Sequence, residues 1–331
     1  MKKTILVIGS NSFSGANFIN YLLQKKHKVI GVSRSIEINS IFLPYKTFLN
    51  INKNFKFYKC DLNKHTNKII RIIENNKIQF IINFASQGMV EESWKYPIDW
   101  YNTNLISQIK LIEKIKKFKF IKKYVHVSTP EVYGNIKNLI SENELFNPST
   151  PYAASRAACE HYLNNCYKNY NFPLSITRAA NVYGPTQQLY RIIPRTIMCI
   201  LTNKKLNLHG GGKSIRSFIH IKDVAEATYL IMFKSKIGES YNISTDEYIT
   251  IKDLVKLICK KMNKNYNKII KNTSERMGKD HSYYLNSKKI KKELNFKNKY
   301  NISSGIDETI EWVIQNIKSL KKQNRNYIHK K

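Results

Sequence analysis

Long apolar runs are missing from this sequence of 331 residues, and none approaches the roughly 18 residues that a membrane-spanning helix needs. The apolar stretch near the N-terminus, Ile5 to Ile8, is too short for the core of a signal peptide. Cysteine is scarce: the five cysteines are scattered and include no Cys-x-x-Cys pair, so neither a disulfide framework nor a zinc site is indicated. We therefore expect a cytoplasmic protein with reduced thiols, no membrane association and no bound metal.

Acidic residues are also few, with 23 Asp and Glu against 56 Lys and Arg and a formal net charge of +33. Such an excess occurs in proteins that bind nucleic acids or anionic surfaces. Here the lysines are spread along the whole chain among many Asn and Ile residues, which indicates a compositional bias on solvated faces. We therefore predict no nucleic-acid partner, although a positive field would help to attract an anionic ligand.

Short β-type runs alternate with helical patterns in the first half of the chain. The predicted strands are 4–8, 28–32, 55–59, 79–84, 122–127 and 174–178, and the predicted helices are 13–26, 64–75, 95–117 and 151–169. Repeated β-α-β units require parallel strand pairing, with helices on both faces of the sheet. The sequence therefore predicts an α/β fold with a doubly wound parallel sheet of the Rossmann type.

After residue 181 the alternation is less regular, and helical patterns return at 222–233, 251–262 and 305–318. We expect a cofactor-binding domain over residues 1–180, to which residues 217–245 return. Residues 181–216 and 246–320 are expected to form a smaller α+β lobe for the substrate. The tail, 321–331, is expected to be frayed or packed over the surface.

The segment Gly-Ser-Asn-Ser-Phe-Ser-Gly at 9–15 follows the first strand and opens the first helix. Glycines in this context allow a tight turn and the close approach of a dinucleotide pyrophosphate to the helix N-terminus. Ser12 replaces the usual middle glycine, and its hydroxyl can donate to a phosphate. Gly9, Ser12, Phe13 and Gly15 are therefore predicted cofactor contacts, the alternative being a glycine turn with a purely structural role.

The second strand ends in Ser33-Arg34-Ser35, where an acidic residue would favour NAD. Arg34 can instead pair with a 2′-phosphate, which favours NADP, unless it is a surface arginine. Asp61 can accept from the adenine amino group, or it caps the helix that follows. The predicted cofactor site also includes residues from the same loops: Leu62, Phe84 and Ala85.

Three further segments begin where predicted strands end, and in a doubly wound sheet such loops form the ligand crevice. They read Asn-Phe-Ala-Ser-Gln-Gly at 83–88, Ser-Thr-Pro-Glu-Val-Tyr-Gly at 128–134 and Tyr-Ala-Ala-Ser-Arg at 152–156. The sequence therefore predicts that these three segments converge on one site.

Together with the 9–15 turn and with residues 181–185 and 216–223, these segments resemble the extended short-chain dehydrogenase/reductase superfamily. The likeness is to its nucleotide-sugar epimerases and 4,6-dehydratases, including those for dTDP-glucose, GDP-mannose and GDP-N-acetylglucosamine, and it extends from Ile5 to about Trp312. It implies tightly bound NADP or NAD and a nucleotide-diphosphate sugar as substrate. Because members of this family usually pair through a four-helix bundle, it also implies a homodimer, with helices 95–117 and 151–169 at the interface.

By the same resemblance, Tyr152 is the base that takes a proton from a sugar hydroxyl. A free phenol has a pKa of about 10, so it needs a nearby cation to act near neutral pH. The family supplies a lysine one helical turn later, where this chain has Arg156, which can supply the charge and bond the nicotinamide ribose but cannot relay a proton. Both residues are also assigned to the cofactor site.

The triplet Thr129-Pro130-Glu131 indicates the reaction type, because simple 4-epimerases of this family usually carry small residues in place of the glutamate. The resemblance implies that Thr129 bonds the C4 oxygen and that Glu131 removes the C5 proton and protonates the departing C6 hydroxyl. The alternative is that Glu131 only hydrogen-bonds the substrate or caps a loop. Predicted substrate contacts are Gln87, Asn181, Arg216 and Arg276, each arginine being otherwise a surface residue.

These features favour a 4,6-dehydratase that works by internal hydride transfer through bound NAD(P), in deoxy-sugar and surface-polysaccharide synthesis. The Thr-Pro-Glu and Tyr-x-x-x-Arg variants resemble dehydratases that act on GDP-N-acetylglucosamine. Alternatives are a 4-epimerase or a UDP-glucuronate decarboxylase of the same family. A non-catalytic NADP-binding sensor is the alternative from another class, and nucleic-acid binding is a fourth. His220 and Asp223 are predicted to be structural, with Asp223 as a helix cap.

Overall fold

A computed structural model describes residues 2–47, 53–135, 138–274 and 284–330 of the chain. Its strands are β1 (Thr4–Ile8), β2 (Lys28–Ser33), β3 (Phe55–Lys59), β4 (Phe80–Asn83), β5 (Lys123–Val127), β6 (Leu139–Ile140), β7 (Leu174–Ala179), β8 (Asn181–Tyr183), β9 (Leu206–His209), β10 (Ile215–His220), β11 (Ser240–Ile243), β12 (Tyr248–Thr250), β13 (Ile270–Thr273) and β14 (Tyr284–Leu285). Its helices are α1 (Phe13–Gln24), α2 (Thr66–Asn75), α3 (Val90–Lys95), α4 (Pro97–Tyr101), α5 (Ser107–Ile115), α6 (Pro151–Tyr170), α7 (Ile192–Leu201), α8 (Ile221–Lys234), α9 (Ile251–Lys261), α10 (Tyr266–Ile269), α11 (Lys288–Leu294), α12 (Ile302–Gln315) and α13 (Ile317–Leu320).

Among the described residues, the main sheet has seven parallel strands in the order β3-β2-β1-β4-β5-β7-β11. Strand β1 lies in the middle and is apolar on both faces. Ile5 and Val7 pack with α1 and α8, whereas Leu6 and Ile8 pack with α2, α5 and α6. A run that is apolar throughout is typical of a parallel strand covered on both sides. The predicted doubly wound Rossmann-type fold is confirmed.

The helices that begin in the ligand crevice have clear capping signals. Ser12 caps α1 and accepts a hydrogen bond from the backbone N–H of Gly15. Thr150 caps α6 in the same way by accepting from Ala153, and Pro151 occupies the first turn, where its missing N–H costs nothing. Asn171, in the left-handed conformation, ends α6. These local signals explain why the predicted and observed starts of both helices agree.

The helix predicted over 95–117 is observed from Pro97 to Ile115 as one continuous helical run that contains a π-helical turn. Helix α3 ends at Lys95, Pro97 opens α4, and the π-helical turn, Asn102–Ile106, joins α4 to α5 without a break in helical backbone. Proline lacks a backbone N–H and disfavours helical geometry in the residue before it, so the helix breaks at Tyr96. The π turn directs Asn104 inward, where its amide bonds the backbone of Gln87 and the hydroxyl of Ser155.

The second half of the chain adds a smaller body around its own core, which includes Ile197, Phe218 and Ile258. Strands β12-β10-β8 form one small sheet, and β9 pairs with β13. Strand β11 instead pairs with β7 at the edge of the main sheet. Within the described residues, no helix has both the length and the apolar character needed to cross a bilayer. All five cysteines are buried and none forms a disulfide.

Candidate active site

The turn between β1 and α1 is built around two glycines. Gly9 has a φ of +84°, and a Cβ placed on it would lie 2.7 Å from the backbone nitrogen of Ala85. A Cβ on Gly15 would lie 2.4 Å from the carbonyl oxygen of Gly9. Both positions therefore require glycine, which allows the tight turn that leads into the N-terminus of α1.

The hydroxyl of Ser12 is used within the turn, because it donates to the Gly9 carbonyl oxygen at 2.7 Å and accepts from the Gly15 N–H at 3.0 Å. In this conformation a phosphate would rely on backbone N–H groups rather than on that hydroxyl. Two buried polar atoms nearby, Ser10 Oγ and Asn11 Oδ1, have no hydrogen-bond partner. The Ser10 hydroxyl is a donor that would suit a pyrophosphate oxygen, whereas Asn11 Oδ1 can only accept a hydrogen bond.

Asp61 and Leu62 follow β3 at the same edge of the sheet. The Asp61 carboxylate accepts from the Asn63 N–H at 2.8 Å, and α2 begins only at Thr66 with His65 before it. The alternative that Asp61 caps this helix is therefore wrong. The Leu62 side chain is buried in the core beneath, so only its backbone faces the crevice side of the loop. The adenine contact of Asp61 stays a prediction.

The predicted catalytic residues meet at one place. Thr129 begins a short 3₁₀ turn, Pro130–Tyr133, and its Oγ1 accepts from the Glu131 N–H at 3.3 Å. Its side chain also hydrogen-bonds the hydroxyl of Tyr152. Burial raises the pKa of Tyr152 and the Glu131 carboxylate raises it further, while Arg156, the Thr129 hydrogen bond and Arg191 act to lower it. The structure therefore brings Thr129, Glu131, Tyr152 and Arg156 together, as expected for segments that begin at the carboxyl ends of parallel strands.

Arg156 is almost completely buried, with 1% of its surface exposed. Its Nη2 lies 3.1 Å from Nε2 of His126 and also donates to the Val127 carbonyl oxygen. Burial lowers the pKa of His126, with Arg156 and Arg178 adding to the effect, so a neutral imidazole accepts this bond. The Nε and Nη1 atoms of Arg156 have no partner. Two unpaired buried donors fit the ribose hydroxyls of a nicotinamide nucleotide.

Sequence reasoning missed three polar residues beneath this cluster: His126, Glu160 and Arg178. Glu160 is fully buried and forms an ion pair with the guanidinium of Arg178, which is 2% exposed. The sequence did contain features that could have identified them. Glu160 lies one helical turn after Arg156, and His126 and Arg178 are polar residues within otherwise apolar strands. A buried charge in such a position needs a partner, but no pattern in the sequence identified which residue that partner is.

Gln87 is buried in the crevice, and its backbone is held by the Asn104 amide. Its own side-chain amide donates to the carbonyl oxygen of Lys330 at 2.7 Å, and Tyr327 donates to its Oε1 at 3.4 Å. Of the two expectations for the tail, packing over the surface is the one observed, and its last described residues lie against Gln87, a predicted substrate contact.

The other predicted substrate residues lie in the small sheet. Asn181 in β8 is opposite Phe218 in β10, and Arg216 is two residues before Phe218 on the same face. Arg216 is 9% exposed, and its Nη1 donates to the Ile215 carbonyl oxygen at 2.7 Å. Arg276 lies outside the described residues.

His220 and Asp223 are buried, but the predicted cap is wrong. His220 is the residue that caps α8, with Nδ1 accepting from the Lys222 N–H at 3.4 Å. Asp223 lies in the first turn and accepts from the backbone N–H groups of Lys299 and Tyr300 at 3.1–3.2 Å. It therefore joins α8 to the loop before α12. Within the described residues, no group of three or more His, Cys, Asp and Glu residues could hold a metal ion.

The chain is similar to known proteins both in sequence and in fold. The sequence profile of the family described as GDP-mannose 4,6 dehydratase matches residues 6–309. A dTDP-D-glucose 4,6-dehydratase from Dictyostelium discoideum is 32% identical, covering 98% of this chain and 82% of the relative. The crystal structure of dTDP-glucose 4,6-dehydratase from Bacillus anthracis in complex with NAD is 30% identical with a TM-score of 0.86, covering 96% of this chain and 98% of that one. UDP-glucose 4-epimerase from Thermotoga maritima, solved with UDP-glucose, is 26% identical with a TM-score of 0.86, covering 95% and 99% of the two chains.

Proposed function

We propose that this chain, which belongs to the GDP-mannose 4,6-dehydratase family of extended short-chain dehydrogenase/reductase enzymes, converts a nucleotide-linked hexose to its 4-keto-6-deoxy derivative by loss of water. The observation that carries the proposal is that Glu131 lies in the 3₁₀ turn that begins at Thr129, whose side chain accepts from the Glu131 N–H and hydrogen-bonds the buried hydroxyl of Tyr152. A 4,6-dehydration needs a base at the C4 hydroxyl and a second acid–base group for C5 and C6. A simple epimerisation at C4 needs only the first.

Each residue in the cluster has a role that its contacts support. Tyr152 takes the proton of the C4 hydroxyl, and Thr129, which bonds the Tyr152 hydroxyl, orients the C4 oxygen. A bound nicotinamide would accept the C4 hydrogen as hydride and later return it at C6. Glu131 removes the C5 proton, which the C4 ketone acidifies, and gives a proton to the departing C6 hydroxyl. Arg156 keeps a positive charge next to the phenol.

Two parts of the chain divide this work in our proposal. The main sheet and its helices would hold the dinucleotide, and the small lobe would hold the nucleotide diphosphate through Asn181 and Arg216. Guanidinium groups suit diphosphate oxygens because they present several donors in a fixed plane. Arg276 is proposed for the same task by resemblance alone.

We propose NADP as the resident dinucleotide. Arg34 follows β2, at the position where an acidic residue would favour NAD, and a guanidinium pairs with a 2′-phosphate. The solved dehydratase relative carries NAD, so NAD is the competing outcome. Comparison of the dinucleotide that co-purifies with the protein, by mass spectrometry of a denatured extract, distinguishes the two.

A homodimer is proposed because apolar side chains are exposed on neighbouring helical segments. Trp94, Ile98, Tyr101 and Ile106 lie on α3, α4 and the π turn with 51%, 72%, 38% and 41% of their surface exposed. A cluster of large exposed apolar residues is typical of an interface. Light scattering after size exclusion, with Ile98→Asp as the variant, should show a dimer that becomes monomeric. A wild-type monomer at micromolar concentration would contradict it.

We propose that the reaction takes place in the cytoplasm, in the supply of sugars for surface polysaccharides. Five buried, unpaired thiols suit a reducing compartment. Within the substrate class, GDP-N-acetylglucosamine is the first candidate, because the Thr-Pro-Glu and Tyr-x-x-x-Arg variants resemble dehydratases that act on it.

The same family contains 4-epimerases, and one of them shares this fold over 95% of the chain. An epimerase is therefore the second candidate function. It predicts a change of configuration at C4 with no change of mass and no requirement for the Glu131 carboxylate.

The deciding experiment incubates purified protein with UDP-, dTDP-, CDP- and GDP-linked hexoses and reads the products by mass spectrometry. The proposal expects loss of one water from one substrate, reduced at least 100-fold in Glu131→Gln and unchanged in Glu144→Gln, which alters an exposed carboxylate. Isomerisation without loss of mass would favour the epimerase, and loss of carbon dioxide from UDP-glucuronate would favour a decarboxylase. If every substrate returned unchanged, the proposal would be overturned.

A further inference from the structure

We propose that the buried ion pair between Glu160 and Arg178 is a positioning device that fixes the turn carrying Thr129 and Glu131 against helix α6, which carries Tyr152. The inference rests on the proposed dehydration, because it assigns to Glu160 and Arg178 the spacing between the two proton-handling groups. Neither residue contacts the reacting atoms, so both act through others.

One end of the turn is held by Glu160. The carboxylate is fully buried. The Arg178 Nε–H donates to both carboxylate oxygens, each at 3.1 Å, and Nη2 of Arg178 also donates to Oε2. Its Oε1 also accepts from the hydroxyl of Ser128, the residue directly before Thr129. The backbone that leads into the catalytic turn is therefore tied to α6 through one carboxylate.

The other end of the turn is held by Arg178. Its Nη1 donates to the hydroxyl oxygen of Tyr133 at 2.6 Å, and Tyr133 donates in turn to Oδ1 of Asn242 at 3.0 Å. Tyr133 is the last residue of the 3₁₀ turn that contains Glu131 and is fully buried. Ser128 and Tyr133 are thus both hydrogen-bonded to the same ion pair, and the segment between them contains Thr129 and Glu131.

Helix α6 completes the arrangement. Tyr152, Arg156 and Glu160 follow one another at intervals of four residues, so they form a stripe on one face of the helix. Because the Glu160 carboxylate is bonded to Ser128, helix α6 cannot rotate or slide relative to the turn without breaking that bond. The Tyr152 hydroxyl is therefore held at a fixed position relative to the turn. The ion pair therefore couples the position of the phenol to the position of the Glu131 carboxylate.

Stability alone is a weak reason for such a pair. The desolvation free energy of two buried charges offsets much of their electrostatic attraction. Replacing such a pair with well-packed apolar residues therefore often leaves the stability of a protein unchanged. Proton transfer, in contrast, is sensitive to misplacement, since an error of about 1 Å can lower a rate by about 100-fold. A positioning role explains why two charges are placed under the catalytic turn.

The test removes each link and leaves the ion pair in place. Ser128→Ala and Tyr133→Phe are expected to lower kcat by about 10- to 100-fold with KM changed less than about threefold. Each should lower the melting temperature by only about 1–3 °C. Tyr45→Phe is the matched control, because Tyr45 is a fully buried tyrosine whose hydroxyl donates to Glu37 at 2.8 Å, outside this network. Its kcat should equal that of the wild type.

A second measurement does not depend on turnover. Hydrogen–deuterium exchange of residues 129–134 should be faster in Ser128→Ala and Tyr133→Phe than in the wild type, and unchanged in Tyr45→Phe. Unaltered exchange in that segment would overturn the positioning role even if no sugar were turned over. Wild-type turnover that both variants retain in full would overturn it as well. A wild type that converts none of the sugars contradicts the dehydratase function alone.

Discussion

Arg34 donates a hydrogen bond of 3.0 Å to the backbone carbonyl oxygen of Lys330, a residue 296 positions later in the chain. Gln87 donates to the same oxygen at 2.7 Å. The guanidinium expected to reach a 2′-phosphate and the amide expected to reach a sugar nucleotide are thus joined by the tail. His329 holds the tail in place, stacked on Tyr96 and Trp100 and paired with Asp99 at 2.7 Å.

Removal of residues 324–331 should tighten dinucleotide binding. Arg34 must give up its bond to Lys330 before it can pair with the 2′-phosphate of the dinucleotide, and such a bond is worth about 1 kcal/mol. We expect the Kd of NADP to fall about three- to tenfold, as measured by calorimetry on protein stripped of its cofactor.

His329→Ala tests the same point without shortening the chain, because it removes the stacking and the contact with Asp99. It should change the Kd in the same direction by a smaller factor. An increase in Kd in both proteins would mean that the tail covers the bound dinucleotide rather than competing with it.

Arg34→Ala should separate the two dinucleotides. If Arg34 pairs with the 2′-phosphate, its loss weakens NADP binding by about 10-fold or more and leaves NAD binding nearly unchanged. Fluorescence titration of both reduced dinucleotides measures the ratio. Equal changes for both would remove the support for NADP and leave Arg34 as a residue of the tail contact.

Arg156→Met should move the acidic limb of the pH–rate profile to higher pH. The ionised phenol of Tyr152 is the active form, so activity rises as pH passes through its pKa. Burial raises that pKa and Arg156 is the foremost group that lowers it. Loss of the cation therefore raises the pKa, and kcat/KM at pH 7 should fall at least about 10-fold.

Arg156→Lys is the control for that prediction, because it keeps the positive charge at the same helical position. Its acidic limb should stay near that of the wild type. A shift of the same size in Lys and Met variants would show that the contacts of Arg156 with His126 and Val127, rather than its charge, govern the phenol.

Lys123 predicts a pH dependence of stability at the opposite end of β5. Burial lowers its pKa from 10.5 to about 8, and its Nζ donates to the Ser235 carbonyl oxygen at 2.8 Å. Between these two pH values the unfolded chain binds more protons than the folded one, so this residue makes the free energy of unfolding increase as pH rises. Below pH 8 the cost of burying the cation is present in full.

The difference in unfolding free energy between wild type and Lys123→Met should therefore shift in favour of the wild type by about 2 kcal/mol from pH 7 to pH 10. Urea denaturation at both pH values measures it. Lys122→Met, at the exposed neighbouring position, should show no such change. A constant difference for Lys123→Met would contradict the lowered pKa.

Short-range patterns predicted much of the fold. Strands β1 and β3 were predicted at their observed bounds, and the starts of α1 and α6 follow from the side-chain caps Ser12 and Thr150. The convergence of Thr129, Glu131 and Tyr152 was also foreseeable, because parallel strands deliver their following loops to one edge. The helix predicted over 95–117 begins at Pro97 and ends at Ile115, but nothing in its apolar periodicity predicted the π turn at Asn102–Ile106.

Sequence alone thus determined the strand and helix pattern, the glycine turn and the residue types of the candidate site, because each depends on neighbours within a few positions. Only the tertiary structure showed that Glu160 and Arg178 hold the catalytic turn and that Lys330 lies against Arg34 and Gln87. Those contacts join groups that are far apart in the chain or on different elements. Their partners are set by how helices and strands pack, and one-dimensional spacing carries no record of that packing.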